Sequence, residues 1–265
     1  NNTRKQKFVI FAILAIIGNA ALYFTGPNTL ILALFIIIVM NICFVVSQTI
    51  YDSFLIHVST EKTRGKISGL GWGIGYVGGI IALLILRPLY VGGYEGDLDS
   101  LYRLTFPLTA LFFFIFALPS FIFIKEKVKT KIQKPVINPI KKGLTDTINS
   151  IKNIKKHKKI AWFLLANFFL YDALITIFAF LPIFANTTLS LSLSEIMVLL
   201  IVVQLIGFPA TIFFGWLSDK KGNKKILLIT ILIWIFIILS LSLVSHRIIF
   251  YILAILGGLV IGSSQ

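Results

Sequence analysis

What this chain can fold into is set by where its charges are missing. Eight apolar runs, at about residues 8–25, 29–57, 67–90, 104–124, 160–182, 196–217, 226–244 and 248–262, contain only Asp52, Arg87 and Asp172 as charged residues. Most approach the roughly 20 residues that a helix needs to cross a ~30 Å hydrocarbon core. With 13% charged residues and a mean hydropathy of +0.95, the chain has about half the charge fraction of a soluble domain. Lipid offers the backbone no hydrogen bonds, so spans of this kind fold as helices. The reading is an all-α integral membrane protein. The N-terminal Arg4-Lys5-Gln6-Lys7 ahead of an apolar run imitates a signal peptide. Without an initial methionine and with so many later spans, a start inside a longer protein is the expectation.

A net charge of +15 could suggest nucleic acid, but its distribution points to a membrane. Alternate connections 1–7, 58–66, 125–159 and 218–225 hold 3, 3, 12 and 4 Lys/Arg, 22 of the 25 in the chain. The other connections hold Arg103 and Arg247, with Glu95, Asp97 and Asp99 also on that side. The basic set is therefore expected to face the cytoplasm. The partner is the lipid bilayer, and no nucleic acid is expected. The single cysteine, Cys43, excludes an internal disulfide.

The third run opens on Glu61 to Gly79, which holds seven glycines between Gly65 and Gly79. In a water-exposed helix each glycine costs about 1 kcal/mol against alanine. In a bilayer small residues let a neighbouring helix come close. At 100° per residue, Gly71, Gly75, Gly78 and Gly79 share a stripe with Ser68, while Gly69 and Gly73 lie opposite. All six are candidate helix-interface positions, on a helix that could be gripped from two sides.

Polar residues inside the runs are the candidate site. Asn41, Gln48 and Asp52 fall at i, i+7 and i+11, one stripe of the second run. Facing lipid would be costly, so a cavity or a protein neighbour is implied, although Asp52 is near enough to the interface to be simply hydrated. Asp172 lies about twelve residues into the fifth run, near the bilayer midplane at ~1.5 Å per residue. It is protonated, hydrogen-bonded, or paired outside this sequence. Thr176 is one turn further on the same face.

Two connections carry more than charge. Segment 125–159 has twelve lysines, with Leu144, Ile148, Ile151 and Ile154 at helical spacing. It reads as an amphipathic helix on an anionic leaflet, or as a solvated linker. It divides the chain into 1–124 and 160–265, with four runs each. In the sixth run, Gln204, Gly207, Thr211 and Gly215 share a stripe, and Pro209 is a candidate kink. The run continues into Gly215-Trp216-Leu217-Ser218-Asp219-Lys220-Lys221-Gly222-Asn223-Lys224-Lys225.

This loop resembles the G-x-L-x-D-R/K-x-G-x-K/R-K/R motif of the major facilitator superfamily through Gly215, Asp219, Lys220, Gly222, Lys224 and Lys225. Tyr51 to Leu55, the Thr63 to Gly79 stretch and Asp172-Ala173-Leu174-Ile175-Thr176 are similar to the autophagy-related vacuolar effluxer family and its bacterial relatives. Asp52 stands where that family commonly has asparagine, Ala173 where it has glycine, and Tyr171 at a usual asparagine position. The resemblance implies a major facilitator-type bundle with eight of twelve transmembrane helices present, family helices three to ten. It implies residence in a bacterial cytoplasmic membrane. It also implies that Asn41, Gln48, Asp52, Asp172, Thr176 and Tyr251 face a substrate cavity, and that the third and sixth runs meet across two halves.

The expected function is secondary active transport of a small polar solute by alternating access, with amino-acid efflux implied by the family's fungal branch and protons as a coupling option. The alternative is a non-transporting scaffold or sensor that docks partners through the basic connector. An enzyme is not expected. His57, His157 and His246 lie apart in sequence, without nucleophile–base or metal-ligand spacing, and no nucleotide fingerprint or cofactor motif occurs.

Overall fold

The structure, a computed structural model, describes residues 3–90, 98–124 and 158–264. Among them every regular element is a helix: α1 Thr3–Ala21, α2 Leu30–Ser53, α3 Leu55–Val58, α4 Arg64–Tyr90, α5 Leu98–Phe123, α6 Lys158–Thr187, α7 Leu193–Lys221, α8 Asn223–Leu241 and α9 Arg247–Ile261. Among the described residues seven helical stretches, from Arg4–Phe24 to Asn223–Leu241, are long and apolar enough to cross a membrane. The eighth expected span is the 15-residue α9, about 22 Å long at ~1.5 Å per residue and short of a ~30 Å core. Side chains such as Ile31 and Leu243, 85% and 84% exposed, suit contact with hydrocarbon and would be untenable as a continuous surface in water. The basic connector over 125–157, with its expected amphipathic helix, lies outside the described residues, as do Glu95 and Asp97; Lys158 and Lys159 begin α6.

Residues 3–124 and 192–264 belong to one compact unit and 158–191 to a second. In the larger unit α1 packs between α2 and α5. Two short 3-10 turns, Leu22–Phe24 and Pro27–Thr29, fold α1 back on α2. A methyl group on Gly18 would stand 2.7 Å from the Met40 Cβ. Glycine there permits the close pairing. The second run does not stay one helix to its end. The chain turns at Phe54, whose ring is buried against Phe8 of α1. On the other side of the unit, α7 packs against α4 and α9, and α8 lies against both α7 and α9. A buried polar set ties α8 to the end of α9: Trp234 Nε1 donates to Ser264 Oγ at 2.8 Å, and the Thr230 and Ser263 hydroxyls are 2.7 Å apart.

The helices of this unit share a common polar end. Lys5 Nζ donates to the Ile122 carbonyl at 3.2 Å, so the start of α1 meets the end of α5. Asp219 at the end of α7 reaches the start of α4. Connections 58–66 and 218–225 therefore lie on one face. At the opposite end, Arg103 stands beside Gly26, and Arg247 pairs with Glu195 at 3.4 Å. Glu195 also completes a capping box with Ser192 at the start of α7, with the Ser-x-x-Glu spacing that such a box requires.

The second unit, described by itself, is dominated by α6, which runs through Pro182. Its C-terminal turn is closed by Asn186 Nδ2, which donates to the Leu191 carbonyl at 2.9 Å.

Candidate functional site

The site begins with an antiparallel crossing of α4 and α7. Gly65 and Gly215 are so close that a methyl group on either would collide with the other's carbonyl oxygen. One turn along, a methyl on Gly69 would stand 2.6 Å from the Thr211 carbonyl oxygen, and one on Gly73 would stand 3.0 Å from the Phe208 ring. A methyl on Gly79 would overlap the Gln204 amide. The sixth-run stripe is thus the surface that α4 packs on, with Gly207 also touching α9. The six candidate interface glycines divide here. Gly69, Gly73 and Gly79 face α7, whereas nothing lies within 4 Å of a Cβ placed on Gly71, Gly75 or Gly78. The crossing follows the spacing set by Gly65, a position that hydropathy alone does not distinguish from its neighbours.

Asp219 closes the polar end of this crossing. Its Oδ1 accepts from the Gly65 N–H at 2.7 Å and its Oδ2 from the Lys66 N–H at 2.8 Å. These N–H groups are in the first turn of α4, where no preceding helical carbonyl is available and the helix dipole is positive. A carboxylate satisfies both requirements. The loop itself is built to deliver that carboxylate. Lys220 Nζ sits 4.0 Å from the centre of the Trp216 ring, and Ser218 Oγ donates to Asn223 Oδ1 at 2.7 Å.

Gly222 ends α7 at φ 90°, ψ 134°, a conformation in which a Cβ is strained wherever it points. Gly222→Ala is expected to cost about 1–3 kcal/mol, read as a lower thermal midpoint of the purified protein. An unchanged midpoint would show that the turn has no need of glycine.

A cavity of about 330 Å³ opens beside the crossing, lined by α2, α3 and α4 and by Ile124 after α5. Gln48, Asp52, Ser68, Gly71 and Trp72 are among its walls. Two of the aligned residues of the second run therefore share a cavity. Asn41 does not line it; its amide Nδ2 donates to the Ile37 carbonyl of its own helix at 2.8 Å. Asn41 shares the stripe but lies about 10 Å further back along α2 at ~1.5 Å per residue, so only the last two turns reach the opening. Tyr251 lines a second cavity, about 430 Å³, between the starts of α7 and α9 at the other end of the unit, together with Glu195. Asp172 and Thr176 stand exposed, one turn apart on α6 of the second unit. Among the described residues no group of three His, Cys, Asp or Glu could hold a metal ion.

Residues 56–265 match the family described as vacuole effluxer Atg22 like. Over 257 residues the chain is 25% identical to an uncharacterized MFS-type transporter, YxiO, of Bacillus subtilis, which covers 96% of this chain and 59% of that protein. An uncharacterized protein of Aquifex aeolicus is 26% identical over 245 residues, 91% of this chain and 56% of that protein. The chain spans less than two thirds of the length of these curated relatives.

Proposed function

Because this chain belongs to the vacuole effluxer Atg22-like family and is a multi-pass membrane protein of major facilitator type, we propose that it is part of a secondary transporter that moves a small polar solute by alternating access. On this reading 1–124 and 160–265 belong to two halves joined by the basic connector over 125–159, and α4 and α7 come from opposite halves. The observation that carries the proposal is the Asp219 bridge to the first turn of α4. Hydrogen bonds to a charged group are worth about 1.5–3 kcal/mol each, less where water competes. Two of them can hold one face of a cavity shut and still break once per cycle. The positive-inside bias supports a cytoplasmic orientation of that face, and a bacterial cytoplasmic membrane is the proposed home.

Asn41, Gln48, Asp52, Asp172, Thr176 and Tyr251 are the proposed solute-facing residues. Amino acids are the solute class to try first, with efflux as the direction. Asp172, a carboxylate inside a membrane-crossing helix, is the proposed proton carrier.

The test is solute flux by the full-length protein in proteoliposomes, driven by a solute or proton gradient. Asp172→Asn is expected to abolish the pH dependence of flux and to lower it at least about tenfold under a proton gradient. Flux that is unchanged across pH would remove the coupling role. No flux of any amino acid would remove that solute class.

A further inference from the structure

The cavity beside the crossing has a composition that selects among solutes. Among the described residues that line it, Asp52 is the sole charged one and none is a lysine or arginine. Its carboxylate makes no ion pair or hydrogen bond with another described residue. The nearest positive helix end, that of α4, is already taken by Asp219. Tyr51, Phe54 and Trp72 line the same cavity, and the face of an aromatic ring attracts a cation. Room for a ligand is kept by Gly71, where an added Cβ would meet nothing within 4 Å.

We propose that this cavity binds an organic ammonium group, with Asp52 as counter-ion and the three rings as its walls. A hard divalent cation would need six or more oxygen ligands, which one carboxylate among aromatic rings does not provide. An anion would meet Asp52 with no opposing charge among the described lining residues. Apart from Gln48 and Ser68 the remaining wall is apolar, so the ammonium group would bring a short hydrocarbon body with it. Asp52 is the second-to-last residue of α2, at the depth where lipid headgroups lie. The ammonium can therefore belong to a soluble amine or to an aminophospholipid.

The proposal rests on the transporter reading only for its purpose; binding is measured without flux. The full-length protein in dodecyl maltoside is titrated calorimetrically with benzylamine and with its neutral isostere, benzyl alcohol. Saturable benzylamine binding is expected, with the alcohol and the Asp52→Asn protein each at least about tenfold weaker. Gly71→Leu, which fills the cavity, is expected to abolish binding at an unchanged thermal midpoint. Added phosphatidylethanolamine, compared with phosphatidylglycerol, separates the sources. Competition by the first alone assigns the site to a lipid head, and competition by soluble ethylamine alone assigns it to a solute. Equal affinity for amine and alcohol, or undiminished binding by Asp52→Asn, would overturn the site. Binding that follows these expectations in a protein that moves no solute would remove the transport reading and keep the site.

Discussion

Replacing Asp219 by alanine is expected to lower solute flux by the full-length protein at least about tenfold and to expose the α4–α7 seam. The carboxylate holds two first-turn N–H groups of α4 at 2.7 and 2.8 Å. Alanine leaves both without that acceptor and removes the negative charge opposite the helix dipole. Allowing for partial hydration, the loss is about 2–3 kcal/mol, roughly a 30- to 150-fold shift in a two-state equilibrium. Flux falls because a face that no longer closes cannot alternate. Asp219→Glu keeps the charge on a longer stem and should recover part of the effect, whereas Asp219→Asn presents a donor to one of the two N–H groups and should not. The seam can be read directly. Thr211 is 1% exposed, and Cys43 is the single native cysteine. A Thr211→Cys protein in a Cys43→Ser background should thus react with maleimide about tenfold faster when Asp219 is alanine. Equal labelling rates and equal flux would mean that the bridge closes nothing.

The second large effect belongs to the glycines beneath that bridge. Gly69→Val puts a branched side chain where a single methyl already stands 2.6 Å from the Thr211 carbonyl and 3.3 Å from the Ile212 Cα. Backbone cannot move aside as a flexible side chain can, so the two helix axes must separate. Close contact is then lost along the seam toward Gln204. The expected cost is about 3 kcal/mol or more, seen as a fall in thermal midpoint of roughly 5–10 °C. Gly75→Ala, on the same helix but with no described atom within 4 Å of the added Cβ, should leave the midpoint almost unmoved. If the two substitutions cost the same, the seam is not what holds α4 to α7.

Much of this was legible in the residues. The apolar runs, their helical state and the basic face of the larger unit follow from hydropathy and lysine placement. Each of these acts locally, one span or one loop at a time. The break after Ser53 escaped, because apolar side chains continue across it and only backbone geometry marks it. Asp219 was visible as a motif residue, but its partner, 154 positions away in sequence, was not.

The sequence by itself determined that α4 would be a small-residue helix held closely by a neighbour. Only the tertiary structure decided that Gly69, Gly73 and Gly79 take the contact while Gly71 borders a cavity, and that Gln48 and Asp52 reach that cavity while Asn41 does not. The physical reason is the solvent. Hydrocarbon treats all sides of an apolar helix alike, so no gradient of polarity around α4 picks its buried side. That choice is made by which carbonyls and glycines of α7 can approach it without collision.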